Sequence, residues 1–232
     1  MSSIEKNDIQ HLEVEIPTST DTSEYPVESK SNSIKQHPIQ AQVAKLNPAP
    51  IGFAAFALCS FVLGLYNTGL VTDLPQVAVG VAFGYGAMGQ FVCGICELVI
   101  GNIFAATTML TFSGFFLTFG IMMIPSSGFL TLAMANGGLE AVHICMGLVQ
   151  VGYAIASFLF LLGTLRQPIL IRLVLLQVFL AFLTGGIGGL TQITNFTLAS
   201  GWISFTLSLT AWYVMAAMLF TPENTMIKLP FF

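Results

Sequence analysis

Hydrophobic residues fill six long stretches of this chain, and polar or turn-forming residues separate them. Each stretch has about twenty residues, which at about 1.5 Å per residue makes a helix long enough to cross the apolar part of a bilayer. The predicted spans are Gly52–Val71, Gln76–Cys96, Ile103–Ile124, Ala141–Leu165, Pro168–Leu190 and Leu198–Phe220. The predicted breaks are Asp73 with Pro75, Glu97 to Asn102, Pro125 to Glu140, Arg166 to Pro168, and Thr191 to Thr197. The pattern therefore predicts an all-α membrane protein with six transmembrane helices.

The composition supports this interpretation and divides the chain into three parts. Of the 232 residues, 55% are hydrophobic and 8% are charged, whereas a soluble domain has about 25% charged residues and needs them on its surface. Seven of the eleven acidic residues lie in the first thirty positions, within a segment too polar to fold alone. We therefore expect a disordered tail over residues 1–45, a transmembrane domain over 46–221 and a short C-terminal tail over 222–232.

The positive charges predict the orientation of the chain. With six spans, every Lys and Arg lies in the N-terminal tail, near the loop between spans four and five, or at the C-terminus; they include Lys30, Lys35, Lys45, Arg166, Arg172 and Lys228. The loops on the other side carry no Lys or Arg. Because positive residues are retained on the cytoplasmic side, both termini are expected in the cytoplasm.

Glycines are concentrated in two of the spans. The second span contains Gly80, Gly84, Gly86, Gly89 and Gly94, and the fifth ends with Gly185, Gly186, Gly188 and Gly189. Lipid provides no hydrophobic force that drives helices together, so small residues that permit close backbone approach are typical of helix interfaces in membranes. We expect these glycines to lie at helix contacts.

Few ionisable residues lie within or at the ends of the spans, and one of them, Glu97, shares a helix face with Gln90. Gln90 precedes Glu97 by seven residues, or two helical turns. Polar groups at membrane depth usually face the protein interior or an aqueous cavity. The pair predicts either a polar path or a hydrogen-bonded lock between helices. No nucleophile–base pair, metal cluster or phosphate loop lies at membrane depth, so we expect no enzyme, metal or cofactor, and no basic stretch indicates nucleic acid.

A proline-rich motif, Asn47-Pro48-Ala49-Pro50-Ile51-Gly52-Phe53, stands directly before the first span. Two prolines fix φ and remove backbone donors, which predicts a stiff non-helical segment and a rigid helix start. The motif closely resembles the Asn-Pro-Ala-Pro-Leu-Gly-Leu signature of the acetate uptake transporter family. That family includes bacterial succinate–acetate/proton symporters and fungal acetate or ammonia transport proteins. The resemblance continues at Gly89-Gln90, Gly94, Glu97, Gly101-Asn102-Ile103-Phe104, Gly114-Phe115-Phe116 and Gly163-Thr164-Leu165.

The resemblance implies six helices per subunit, a hexameric ring and a separate pathway through each protomer. It also implies a narrow apolar constriction formed by an aromatic residue, a tyrosine and a leucine, whose positions here hold Phe56, Phe112 and Val178. The second and third residues depart from the pattern. Phenylalanine removes a hydroxyl that could contact a carboxylate, and valine widens the constriction. A polar path beside it is expected from Asn47, Gln90, Glu97 and Asn102.

The leading hypothesis is a multi-pass plasma-membrane transporter for acetate, and for other small monocarboxylates or succinate, driven by the proton gradient. An apolar constriction disfavours a bare carboxylate, because removing a charge from water is very unfavourable. Two alternatives remain open: an ammonia or ammonium exporter of the same fold, and a membrane sensor of acetic acid without appreciable flux. The Asn195-Phe196-Thr197 sequon lies on the predicted outer face but very close to the bilayer.

Overall fold

The computed structural model describes residues 46–72 and 74–232. Six helices in this part of the chain are long and apolar enough to span a membrane: α1 Ala49–Asn67, α2 Val77–Val99, α3 Ile103–Met123, α4 Phe129–Gly163, α5 Ile169–Thr191 and α6 Thr194–Leu219. The prediction of six spans is confirmed. The predicted tail over residues 1–45, together with Asp73, lies outside the described residues.

The predicted break from Pro125 to Glu140 is wrong over most of its length. Only Pro125–Ser127 forms a short 3-10 turn, and α4 begins at Phe129. Gly138 interrupts α4 with φ 66° and ψ −154°, a conformation open to glycine because it has no Cβ. Helix α4 therefore consists of a short leg and a long leg. The apolar pattern becomes continuous only after the kink, which explains why the sequence places the start of this span too late.

The proline motif starts a helix, so the prediction of a non-helical segment is wrong. Helix α1 begins at Ala49, with Pro48 at the N-cap and Pro50 in the first turn. The N–H groups of a first turn have no partner within the helix, so proline loses no hydrogen bond there. The fifth span follows the same rule, since Pro168 is the N-cap of α5. The expected rigid helix start is present.

Helix α2 contains a π-helical segment, Ala82–Ala87, between two α-helical parts. The thiol of Cys59 donates a hydrogen bond to the Val81 carbonyl at 3.1 Å, and the hydroxyl of Ser113 donates one to the Ala87 carbonyl at 2.8 Å. Side chains from α1 and α3 therefore contact the two ends of this segment. Such π segments are rare and often lie at functional sites.

Close backbone contacts hold the helices together. Helix α1 packs mainly on α6, α4 on α5, α5 on α6, and α2 on α3. A Cβ atom at Gly64 would lie 2.7 Å from the backbone nitrogen of Phe205, and one at Gly189 would lie 2.6 Å from the His143 carbonyl oxygen. Most glycines singled out from the sequence are also closely packed, in some cases against backbone and in others against side chains: Gly86, Gly89, Gly94, Gly185, Gly186, Gly188 and Gly189. Gly80 and Gly84 are different, because a Cβ there would meet nothing within 4 Å.

Candidate substrate pathway

Two cavities lie within the helix bundle. The large cavity, about 620 Å³, reaches the end of the bundle where α1 meets α2 and α5 meets α6; its lining includes Asn67, Pro75, His143 and Thr197. The small cavity, about 240 Å³, reaches the opposite end, where Ala49, Asn102, Pro168 and Met218 contribute to its wall. The cavities therefore approach the bundle centre from opposite ends.

The residues that separate the cavities are apolar. Phe56 and Val178 line both cavities, so they form part of the boundary between them. Phe112 lines the small cavity, and its ring centroid lies 5.8 Å from that of Phe56. Val178 is only 1% exposed. The structure thus brings together the three constriction residues named from the resemblance, and their role as a gate stays a prediction.

Further aromatic rings surround this boundary, among them Phe115 and Phe116, which the resemblance includes but does not assign to the constriction. Phe116 packs edge-on against Phe56 with centroids 6.0 Å apart, and Phe115 packs against Phe182 at 4.6 Å. Phe112 also stacks on Phe182 at 6.2 Å. On α3 these rings recur three or four residues apart, the spacing that places side chains on one helix face. This aromatic periodicity was the feature of the sequence that could have predicted these rings at the boundary.

Glu97 is held at the small cavity by the start of the next helix. The Asn102 side chain donates a hydrogen bond through Nδ2 to Glu97 Oε2 at 2.8 Å. The other amide atom, Oδ1, accepts from the Ala105 backbone N–H at 3.3 Å, so Asn102 is also the N-cap of α3. Glu97 is 2% exposed, and both side chains line the small cavity. The carboxylate therefore ties α2 to α3 through Asn102 rather than through Gln90.

Gln90 has an incompletely satisfied side chain. It is 1% exposed and lines the small cavity. Its Nε2 donates to the sulfur of Met109 at 3.9 Å, a weak contact because a thioether is a poor acceptor. Its Oε1 is buried and has no hydrogen-bond partner. An orphaned buried carbonyl oxygen is unfavourable by about 1–3 kcal/mol, which singles out this oxygen as a candidate ligand-binding atom.

Asn47 is not brought to the pathway. Its side chain is exposed before α1 and lines neither cavity. The later part of the same motif packs tightly, since a Cβ at Gly52 would lie 2.7 Å from both Cys93 Sγ and Met109 Sδ. Phe53 lines the small cavity. The motif therefore packs α1 against Cys93 of α2 and Met109 of α3. Met109 is also the residue that Gln90 contacts.

Polar groups also occur along the large cavity. His143 lines it and contacts Gln192, whose Oε1 lies 3.2 Å from His143 Nδ1. The Gln192 amide donates to the Gly189 carbonyl, and this leaves its oxygen facing the imidazole. Asn195 of the sequon lies exposed in the first turn of α6. The end of the large cavity is therefore more polar than the boundary beside it.

Comparison with known proteins places these features in a family context. The model of the GPR1/FUN34/yaaH family matches residues 31–232. Acetate permease A of Emericella nidulans is 32% identical over 194 residues, 79% of this chain and 65% of that protein. Ammonia transport outward protein 2 of Saccharomyces cerevisiae is 32% identical over 182 residues, 78% of this chain and 64% of that protein. The chain thus matches just under two thirds of the length of these fungal relatives.

Bacterial proteins named SatP match this chain in sequence and in structure. The succinate-acetate/proton symporter SatP of Escherichia coli is 27% identical over 172 residues, 72% of this chain and 85% of that protein. The solved structure of the bacterial acetate channel SatP matches with a TM-score of 0.69 and 21% identity, covering 80% of this chain and 98% of the other. The two proteins share a fold.

Proposed function

Because the chain belongs to the GPR1/FUN34/yaaH family, we propose that it carries acetate and similarly small carboxylic acids across the plasma membrane together with protons. The observation that carries this proposal is the apolar boundary between two cavities that open at opposite ends of the bundle. A molecule that passes from one cavity to the other must cross Phe56 and Val178.

The boundary favours a neutral cargo. Transferring a carboxylate into surroundings of phenylalanine and valine without partners is far more unfavourable than transferring the protonated acid. A carboxylic acid that crosses as the neutral species takes its proton with it, so acid flux and proton flux are linked. The nearest buried carboxylate, Glu97, already binds Asn102. We therefore assign Glu97 to positioning the helix ends at the small cavity.

Gln90 is the proposed partner of the protonated acid. A carboxylic acid O–H needs an acceptor, and Gln90 Oε1 is an acceptor without a partner. The last torsion of a glutamine is soft, so the amide can turn between Met109 and a molecule in the small cavity. Asn102, on the same cavity wall, is the next amide along the proposed path. Asn47 is left out of this path because it lines neither cavity.

Uptake of labelled acetate into proteoliposomes under an imposed pH gradient tests the proposal. Purified protein should accelerate uptake above protein-free liposomes, with matching proton entry reported by an internal pH dye. Val178→Phe should abolish the acceleration by filling the boundary. Val99→Phe is the matched control, since Val99 is 68% exposed and lines neither cavity. Wild-type protein that moves no acetate would refute transport and leave a sensor role.

Ammonia is the second candidate cargo, because one matched relative is an ammonia transport outward protein. Ammonia is also neutral and small enough for the boundary. The two cargoes change the lumenal pH in opposite directions. Acetic acid releases a proton after entry and acidifies the lumen, whereas ammonia takes up a lumenal proton and makes the lumen alkaline. The same internal dye therefore distinguishes them. Acidification by acetate without alkalinisation by ammonium chloride would assign the carboxylic acid.

Orientation and assembly form the last part of the proposal. The absence of Lys and Arg from the loops at the large-cavity end supports placing that end outside and both termini in the cytoplasm. A homo-hexamer, with one pathway in each protomer, would need an exposed helix face for the neighbouring protomer. Gly80 and Gly84 are exposed, and a Cβ added at either would meet nothing within 4 Å, so this face of α2 is open to close approach by another helix. Gly84→Ile should reduce the mass of the detergent-solubilised assembly. An unchanged mass would exclude this face as an interface.

A further inference from the structure

The segment that follows α6, residues 220–232, folds back on the helix bundle. Asn224 starts the reversal: its Nδ2 donates to the Leu219 carbonyl at 2.8 Å, and its Oδ1 accepts from the Thr221 N–H at 3.0 Å. Leu219 is the last residue of α6. One asparagine side chain therefore satisfies the end of the helix and directs the chain into a turn.

Two hydrogen bonds then fix the last residues of the segment. Tyr213, six residues before the end of α6, donates its hydroxyl to the Pro230 carbonyl at 2.9 Å. The backbone N–H of Leu170 donates to the Phe232 carbonyl at 3.4 Å. Leu170 is in the first turn of α5, where N–H groups have no partner within the helix. The segment is thus attached to α6 on one side and to α5 on the other.

Phe231 lies between these two attachment points and lines the small cavity together with Pro168, Ile171 and Met218. Phe231 is 40% exposed, whereas its neighbour Phe232 lines neither cavity and is 66% exposed. The sequence predicts a short C-terminal tail over residues 222–232, and in the fold Phe231 of that segment lines the small cavity.

From this placement we infer that the segment 220–232 closes one side of the small cavity and that Phe231 limits the size of the acid that passes through it. The inference rests on the proposed function. It adds a second residue that limits the size of the transported acid, at the end of the pathway away from Phe56. An acid that crosses the protein then has to pass two size limits in succession, one at the boundary in the bundle centre and one at Phe231. Acetate fits both, while a longer acid meets a second steric limit at Phe231.

Uptake of acetate, propionate and butyrate in proteoliposomes tests the size limit. Phe231→Ala should raise the ratio of butyrate to acetate uptake on the order of tenfold, since a misfit of one or two methylenes in an apolar pocket typically changes rates by about 10–200-fold. Phe231→Leu should give an intermediate ratio. Phe232→Ala is the matched control and should leave the ratio unchanged, because it keeps the carbonyl that binds Leu170. An unchanged ratio in both Phe231 variants, or an equal change in Phe232→Ala, would overturn the inference.

A second readout does not depend on flux. Thr108 lines the small cavity, so a Thr108→Cys variant reports entry of a bulky thiol reagent, followed at that site by mass spectrometry in nanodiscs. Adding Phe231→Ala should accelerate labelling, and so should Tyr213→Phe, which removes one attachment of the segment. Labelling rates equal to that of Thr108→Cys alone would refute the wall even if acetate transport is intact. Faster labelling in a protein without acid flux would support the wall and refute the proposed function.

Discussion

Replacing Gln90 by methionine should stabilise the protein and slow transport at the same time. Methionine has nearly the same length and shape as glutamine but has no amide. The substitution removes the buried Oε1 that has no partner, together with a weak contact to Met109 at 3.9 Å. Most single changes at a 1% exposed position destabilise a protein. The expected gain in stability is therefore a sharp test of whether this oxygen is unsatisfied.

The two magnitudes follow from hydrogen-bond energetics. Removing an unsatisfied buried carbonyl should raise the free energy of unfolding by about 1–3 kcal/mol. If Oε1 accepts the acid proton during passage, its loss should remove about 0.5–1.5 kcal/mol of interaction with the cargo. At about 1.4 kcal/mol per factor of ten, acetate uptake should fall roughly two- to tenfold. Stability and uptake should therefore change in opposite directions.

Gln177 is the matched control for this experiment. It is also a glutamine with a buried Oε1 that lacks a partner, its Nε2 donates to Thr206 at 3.4 Å, and it lines neither cavity. Gln177→Met should raise the melting temperature in detergent without changing acetate uptake. Two results would refute the reasoning: a lower melting temperature for Gln90→Met with unchanged uptake, or equal losses of uptake in the two variants. The first would mean that Oε1 already has a partner.

Four further substitutions test the boundary and the packing. Phe56→Ala should widen the boundary and raise uptake of acids longer than acetate by about tenfold relative to acetate; unchanged uptake of all acids would count against Phe56 as a gate. Gly64→Ala should lower the free energy of unfolding by about 1–3 kcal/mol, because the new Cβ would lie 2.7 Å from the backbone of Phe205, which cannot yield like a side chain. Gly152→Ala, with nothing within 4 Å, should be neutral or stabilising by up to about 1 kcal/mol, and equal melting temperatures for the two variants would contradict the packing argument. Asn102→Ala removes an N-cap worth about 1 kcal/mol as well as the donor to a buried carboxylate, so its melting temperature should fall, and an unchanged value would show that neither bond matters.

Long-range composition predicts more of this protein than local detail does. The count of helices follows from apolar stretches of bilayer length, and the structure confirms it. The start of α4 could not be placed because its first leg ends at Asn136-Gly137-Gly138, and the helix continues across a kink at Gly138. The proline motif was predicted to be non-helical because proline is unfavourable in a helix interior. That cost does not apply to the first turn of a helix, where Pro50 lies.

The candidate pathway was predictable only in part, for a related reason. The resemblance could name Phe56, Phe112 and Val178, and the fold brings them to one boundary. No pattern in the sequence could show that Gln90 Oε1 lacks a partner, because this depends on which groups the fold places around the side chain. The position of Phe231 could not be predicted from the sequence either. It depends on hydrogen bonds from Tyr213 on α6 and Leu170 on α5 to the residues on either side of Phe231.

The departure at Phe112 changes where polarity can act in the pathway. The Phe112 ring lies among the rings of Phe56, Phe160 and Phe182, with centroids 5.8, 5.9 and 6.2 Å away. A phenylalanine has no polar atom to satisfy in such surroundings, whereas a tyrosine hydroxyl needs a partner when buried. With no hydroxyl at this position, the boundary itself offers the cargo no hydrogen bond. Under the proposed function, recognition of the acid then depends on the cavities on either side, and Gln90 Oε1, which is buried without a hydrogen-bond partner, is the proposed acceptor.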